Sequence, residues 1–478
     1  MKISKIILPL IFLSVLLYGC KAPALAPIEK ITLPESYAEV YTDTSNVGKL
    51  SWKYFFPDTI LQEYIEIALK NNYSFRQTLE RITMTRTQLK LKKGALLPNM
   101  SLGIQGSVEK FGEYTMDGVG NSTTNTPDLS KDKHIPGPYR DFSLGISFQW
   151  EADIWGKLSQ KKQAAVARWM SSVEAARLAQ TMLISEIATQ YFELIGLDKQ
   201  SEILKEAIVK TKASYELTYE LKQEGEVSQL AVDQFQSYLL KLEGFLLENE
   251  QLIGEKERAL ATLMGNFPFK IDRIDFHEME KVEFPIHVGV PSQLLQFRPD
   301  VRAAEMELLA AKADVSAARK AFFPSLVIGG NGGFNAFDIS QWFTSPASLV
   351  YSLGAGITAP IFKQYEIRSL FQDARSNQKS ALNHYHETVL KAYEEVANLI
   401  VADEQLEKRK ELKRKESLIH HRSISNANDM FRLNFVGYLE VLSADERYLD
   451  CELEYASLSV LNCVTKVMLY RALGGGSY

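Results

Sequence analysis

The stretch Phe142-Ser143-Leu144-Gly145-Ile146-Ser147-Phe148-Gln149-Trp150-Glu151 alternates apolar with small or polar residues at every step. Successive side chains of a strand point to opposite faces, so a period of two predicts a strand with one apolar side. The segment 349–361 repeats the pattern: Tyr351, Leu353, Ala355, Ile357 and Ile361 alternate with Ser352, Gly354, Gly356 and Thr358. A third strand at 100–110 puts Met100, Leu102, Ile104 and Val108 on one side, and a fourth at 325–336 alternates less clearly. Within it, Gly329-Gly330-Asn331-Gly332-Gly333 has no helix opening after it and reads as a strand end or turn. Strands of about ten residues with an apolar side, a small polar side and a terminal aromatic such as Trp150 suit a membrane barrel with a wet lumen. A soluble antiparallel sheet with one buried face fits the alternation equally well. Four strands do not close a barrel, and lipid does not tolerate an open edge. A membrane reading therefore requires several chains.

The front of the chain favours export. Lys2 and Lys5 precede an apolar run, Ile6 to Leu17, broken only by Pro9 and Ser14. The run is too short for a spanning helix and reads as a secretory signal. Leu17-Tyr18-Gly19-Cys20 resembles the bacterial lipobox, in which the cysteine becomes the first mature residue and carries lipid. Residues 1–19 are then a removed signal peptide and 20–57 a lipidated segment, Cys20 being the acylated residue; several acyl chains anchor stably where one does not. The two other cysteines, Cys451 and Cys463, lie in one expected helix. At 1.5 Å per residue they are about 18 Å apart, too far for a disulfide. A net charge of −5 argues against nucleic acid as a partner. Mean hydropathy is −0.14 with no other long apolar run, so any membrane crossing must use strands.

The chain is internally duplicated. Ala95-Leu96-Leu97-Pro98 and Ala321-Phe322-Phe323-Pro324 each precede a strand, 226 positions apart. Ser143-Leu144-Gly145 and Ser352-Leu353-Gly354 are 209 apart, as are Leu230-Ala231-Val232 and Leu439-Glu440-Val441. The first half thus holds 17 extra residues between its strands, in a segment at 111–138 rich in Gly, Ser, Thr, Asn and Asp that reads as a mobile exposed loop. Each half runs helix, strand pair, long helix, break, helix. The repeats are 58–265 and 298–473, with a connector at 266–297 and a tail at 474–478. Helices are expected at 58–95, 157–222, on from the break at Glu224-Gly225 to 264, and at 298–322, 364–432 and 437–473. Ile184, Ile187, Ala188, Tyr191, Leu194 and Ile195 recur at three and four spacing, as do Val389, Tyr393, Val396, Ala397 and Ile400, a coiled-coil pattern. The expected fold class is an α+β membrane protein with four barrel strands and long coiled-coil helices per chain.

Four segments carry a family resemblance. Leu294-Leu295-Gln296-Phe297-Arg298-Pro299-Asp300-Val301-Arg302-Ala303-Ala304-Glu305 closely resembles the hallmark of the TolC-like outer-membrane factors, most nearly the lipoprotein branch that works with resistance-nodulation-division pumps. Asn71-Asn72-Tyr73-Ser74-Phe75-Arg76 is a degenerate first-half copy. Tyr393-Glu394-Glu395-Val396-Ala397-Asn398 and Val436-Gly437-Tyr438-Leu439-Glu440-Val441-Leu442-Ser443-Ala444 match further family patterns. The resemblance implies a homotrimer with a twelve-stranded β-barrel in outer-membrane lipid, a periplasmic α-helical tunnel, and an equatorial belt built from about 21–57 and 266–297. It implies a periplasmic adaptor and an inner-membrane pump as partners, and efflux of small molecules such as drugs. It also implies a periplasmic gate at the helix breaks, with Leu439 as an apolar constriction and Glu440 as a cation-attracting ring. Many relatives carry an acidic residue where this chain has Ser443; Asp233 and Asp445 are further candidates for the mouth. Arg298-Pro299-Asp300 reads locally as helix initiation, Pro in the first turn and Asp at the helix N-terminus, so the signature is assigned a structural role.

Two alternatives within transport are a duct for type I protein secretion and a periplasmic coiled-coil adaptor lipoprotein. Enzymatic function finds little support. His384-Tyr385-His386 and His420-His421 are not spaced as metal ligands on one helix face, and no HExxH, GxSxG or phosphate-loop pattern occurs. No cofactor and no metal are expected.

Overall fold

A computed structural model describes residues 50–359, 364–433 and 435–476, with Pro34, Tyr37 and Gly48. The signal segment 1–19 and Cys20 lie outside the described residues. One compact unit holds Thr85–Trp169 and Glu307–Leu382; the other holds Glu29–Met84, Met170–Met306 and Asn383–Tyr478. Among the described residues no helix is long and apolar enough to cross a membrane.

The first unit contains the sheet. Strands β1 (Asn99–Glu109), β2 (Tyr139–Ala152), β3 (Ser325–Ala336) and β4 (Leu349–Thr358) form an antiparallel sheet in the order β1-β2-β3-β4. The register sets Leu102 opposite Ile146 and Ile104 opposite Leu144. It continues with Trp150 opposite Ile328 and Ile328 opposite Ala355, so most apolar residues of the four strands share one face, Val327 and Val350 standing on the other. That face is open: Leu102 is 69%, Leu353 76% and Ile357 75% exposed. The other face is polar and internally bonded. Ser101 and Ser147 hydroxyls lie 2.7 Å apart, Asn335 donates to Asp141 at 2.7 Å, and Ser352 donates to Asn331.

Two expectations for this unit need correction. Gly329 to Gly333 is neither a strand end nor a turn but the middle of β3. The glycines are there because the neighbouring strands approach closely. A Cβ on Gly333 would lie 2.1 Å from the Leu144 carbonyl oxygen, and one on Gly330 2.7 Å from that of Ser352. The segment 111–138, expected as a plain loop, carries a short helix, α4 (Met116–Thr124). Thr115 Oγ1 accepts from Gly118 N at 3.1 Å to cap it. Asn125 then pins the return, donating to Ile135 O at 3.0 Å and accepting from Ile135 N at 2.8 Å.

The step from β2 into the long helix α5 (Lys157–Gln223) is made by Asp153, whose two carboxylate oxygens accept from Leu158 N and Ser159 N, both at 2.8 Å. Trp155 stacks on Phe323 at 5.1 Å and donates to Pro324 O at 2.7 Å. Trp150 donates to Leu96 O at 3.0 Å, giving its indole N–H the partner that partial burial demands.

The second unit is helical. It contains α1 (Trp52–Phe55), α2 (Thr59–Asn71), α6 (Gln229–Leu263), α7 (Phe276–Glu280), α8 (Leu294–Phe297) and α11 (Tyr438–Ala472). Parts of α3 (Tyr73–Gly94), α5, α9 (Pro299–Lys320) and α10 (Gln364–Arg432) complete it. The three-and-four stripe of α5 is its core: Ile184, Ile187, Tyr191, Leu194 and Ile195 are buried with Val389 and Val396 of α10. Phe55 stacks on Tyr470 at 4.0 Å in the same cluster. Asp58 caps α2 through Ile60 N at 2.8 Å and accepts the Tyr191 hydroxyl. The opening helix, expected unbroken over 58–95, divides at Asn72. Asn72 Oδ1 caps α3 by accepting from Phe75 N at 2.8 Å, and its Nδ2 donates to Leu263 O at 2.8 Å. Cys451 and Cys463 are free thiols, both buried.

The close approach in β3 gives a test. Gly333→Ala forces β2 and β3 apart and should cost about 1–3 kcal/mol, the range for overpacking. Gly354→Ala, with open space at its Cβ, should leave assembly unchanged. Heat-modifiable gel mobility of the two variants in membranes compares them directly.

Candidate functional site

Two features of the second unit bear on function: a joint built on the signature residues, and the breaks between paired long helices.

At the joint, Pro299 opens α9, where its missing N–H costs nothing. Asp300 sits in the first turn and accepts from Val301 N at 2.9 Å. Arg298 does more than precede them. Its side chain is 8% exposed and makes four polar contacts. Nε donates to Asp300 Oδ1 at 3.0 Å and Nη2 to Asp300 Oδ2 at 2.6 Å, a bidentate pair. Nη1 donates to Glu395 Oε2 at 2.7 Å and to Ala472 O at 3.0 Å. Glu395 also accepts from Arg471 at 2.6 Å. The guanidinium therefore ties the start of α9 to the middle of α10 and the end of α11. Two motifs that stand 97 positions apart in the chain, at Arg298 and Glu395, meet in one buried ion pair. Helix initiation was visible in the sequence; this clamp was not, although the glutamate within Tyr393-Glu394-Glu395 was its one available signal.

The degenerate first-half copy makes the same joint without charge. Asn72 reaches Leu263 O at the end of α6 as Arg298 reaches Ala472 O at the end of α11. Gly265 (φ +71°) follows α6 and Gly474 (φ +89°) follows α11. A Cβ on Gly265 would meet Asn71 O at 2.7 Å, and one on Gly474 would meet Phe297 O at 2.4 Å. Both turns need glycine twice over, for the left-handed backbone and for the close approach.

At the breaks, α5 ends with Glu226 N donating to Leu221 O at 3.0 Å around Gly225 (φ +83°). Chain reversal at the other break places Gly437 before Tyr438, the first residue of α11. Val232 and Phe235 of α6 and Val441 of α11 are buried, and Phe235 and Tyr438 rings lie 6.5 Å apart. The packing that buries these residues leaves Leu439 52% exposed and Glu440 exposed on the first turn of α11. Ser443, one turn on, is half-buried. Asp233 is exposed on α6 and accepts from Gln229 Nε2 at 2.7 Å. Leu439, Glu440 and Ser443 thus share a helix turn, whereas Asp233 belongs to the other hairpin. Asp445, two residues past Ser443, lines a cavity of about 500 Å³ between the hairpins, and burial raises its carboxyl to about 6, with Lys210 acting the other way. Among the described residues no group of His, Cys, Asp and Glu is arranged to hold a metal ion.

With the duplicated fold, the open-faced sheet and the joint in view, the comparisons give the class. The outer membrane efflux protein family matches residues 64–266 and 290–475. The chain belongs to that family of outer-membrane efflux channels. It is 28% identical to the outer membrane protein OprJ of Pseudomonas aeruginosa over 90% of this chain and 87% of OprJ. It is 27% identical to the pyoverdine export outer membrane protein OpmQ of Pseudomonas putida, over 97% and 96% of the two chains. Against the cation efflux system protein CusC of Escherichia coli the identity is 24% over 90% of both chains. Its fold is similar to that of the open state of the MtrE outer membrane channel of Neisseria gonorrhoeae, with a TM-score of 0.80 at 24% identity over 96% of this chain and 98% of MtrE. The outer-membrane channel OprN gives 0.81, also at 24% identity, over 96% and 98%. The protein is an outer-membrane efflux channel and not a periplasmic adaptor.

Removing the clamp should be costly. Arg298→Ala leaves Asp300 without its cation and Glu395 with Arg471 alone, and is expected to lower stability by about 3 kcal/mol, the low end of the range for breaking a buried pair. Arg298→Lys, keeping charge but not the bidentate fork, should lose less. Thermal unfolding of the purified proteins ranks the three.

Proposed function

We propose that three copies of this chain, each giving four strands, form a twelve-stranded barrel whose helices make the exit duct of a tripartite efflux pump. The observation that carries this reading is the sheet: one face mainly apolar and open, the other mainly polar, and β1 and β4 each with an unpaired edge among the described residues. A periplasmic adaptor and an inner-membrane pump would complete the assembly, the pump supplying energy and selecting cargo. Cargo does not follow from likeness, since relatives at 24–28% identity bear names as different as cation efflux, pyoverdine export and toluene efflux. Drugs and other small molecules suit a duct whose walls do no chemistry. Lipid on Cys20 would add an anchor to the barrel.

At the periplasmic mouth, three Glu440 carboxylates around a narrow axis would attract cations, and three Leu439 side chains would form an apolar constriction. Ser443 adds hydroxyls one turn on, without charge; Asp233 adds a weaker acidic contribution from the neighbouring hairpin.

Deleting the gene should raise sensitivity to dyes, detergents and antibiotics in a growth assay; unchanged susceptibility together with loss of an exported protein would favour secretion instead. In planar bilayers Glu440→Ala should reduce the preference for cations over anions, and an identical reversal potential would remove Glu440 from the gate. Cys20→Ser should abolish incorporation of labelled fatty acid.

A further inference from the structure

The cavity between the two helical hairpins is bounded by α5, α6, α10 and α11 of a single chain. Its volume of about 500 Å³ is that of a small-molecule site. Ile203 and Leu449 provide apolar wall, and Tyr238 and Tyr448 provide aromatic rings. The charges on the lining are mostly spoken for. Lys199 pairs with Glu202 at 3.0 Å, Lys210 with Glu206 at 3.9 Å, and Glu452 accepts from Ser417. His421 stands edge-on to Tyr448, ring centres 5.8 Å apart. Asp445 is the exception: it lines the cavity, yet none of the described residues gives its carboxylate a hydrogen bond or an ion pair. The duct reading does not use it, and the charge of Lys210 offsets its burial only in part, so a cation beside it would be favoured.

We propose that this cavity is a binding site for a small, flat organic monocation, its charge on Asp445 and its body among Tyr238, Tyr448 and the aliphatic wall. Charge complementarity selects the class. The lining carries the carboxylates of Glu206, Asp445 and Glu452 against the ammonium groups of Lys199 and Lys210, so one added positive charge balances these five. Two tyrosine rings favour a cation with an aromatic or quaternary surface over an inorganic ion, which needs a cage of oxygens. An anion would face a carboxylate whose charge Lys210 offsets only in part. The site is independent of the mouth: it uses neither Leu439 nor Glu440, and its loss would leave the channel open to conduct.

Ethidium binding to the purified full-length protein in detergent, read by fluorescence anisotropy against a detergent blank, tests the assignment. Saturable binding is expected, weakened about tenfold by Asp445→Asn, the worth of one charge-assisted contact. Tyr448→Leu should weaken it too, and fluorescein, an anion of similar size, should not bind. Binding should also decline as pH falls through about 6, where the Asp445 carboxyl takes up its proton. The groups facing it are Lys199, Glu206 and Lys210 from α5, Tyr238 from α6, His421 from α10, and Tyr448 and Glu452 from α11. His421→Gln should keep that pH dependence, and Asp445→Asn should abolish it. Equal affinity in a correctly assembled Asp445→Asn protein, or fluorescein binding as tightly as ethidium, overturns the proposal. Should Asp445→Asn not assemble, the wild-type titration decides, since affinity constant between about pH 7.5 and about pH 5 also overturns it.

Discussion

The constraint on which the structure depends is that backbone hydrogen-bonding groups at a sheet edge must find partners, and in lipid only another strand supplies them. One chain offers four strands, with β1 and β4 at the two edges. Its apolar face requires an apolar solvent. Its other face, with Ser101 bonded to Ser147 and Asn335 to Asp141, requires a polar one. A sheet with those two faces suits the boundary between lipid and water, and in the proposed trimer its edges are paired by copies of itself. On that reading oligomerisation is part of the fold's chemistry and not an addition to it.

The duplication explains how one joint serves both halves. The pairs Asn72/Arg298 and Asn71/Phe297 stand 226 positions apart, while Leu263/Ala472 and Gly265/Gly474 stand 209 apart, the same two offsets that separate the strand and tip motifs. In each half the residue before a helix donates to the last carbonyls of that half's final helix, and a glycine in left-handed conformation makes room. The halves differ in polarity. Glu395 is held by Arg298 and Arg471, whereas its counterpart Glu186 is exposed and bonded to Gln190, because Asn72 is too short to reach it. The second joint is a buried ion cluster and the first an amide contact, so the signature persists where the charge persists.

Period and punctuation made most of this fold legible. The long helices and all four strands fall within a few residues of where the alternation and the breaks at Gly225 and Gly437 put them. What escaped was settled by partners distant in sequence. Asn72 divides a helix because Leu263 O waits for its amide. The glycines of β3 look like a turn unless β2 and β4 are already beside them. The hidden role of Arg298 lies in Glu395 and Ala472, far along the chain. At the second helix break, Leu439 and Glu440 could be placed on a first helical turn from sequence, but Asp445 could not be separated from them. Only the packing of four helices turns it into a cavity.

The duplicated pattern also sets one face of α3 apart from its copy on α9. On α9 the face Val301, Ala304, Leu308, Ala311 and Val315 is buried or nearly so, and its counterpart on α3, from Phe75 to Leu89, is also the less exposed face. A second face of α9, Ala310, Ala313 and Ala317, is buried as well. Its counterparts on α3 are Met84, Thr87 and Leu91, with Met84 67% and Leu91 63% exposed. Pseudo-equivalent positions thus differ in exposure: the alanine face of α9 is covered where Met84 and Leu91 of α3 stay open among the described residues, so the larger apolar side chains stand on the more exposed copy.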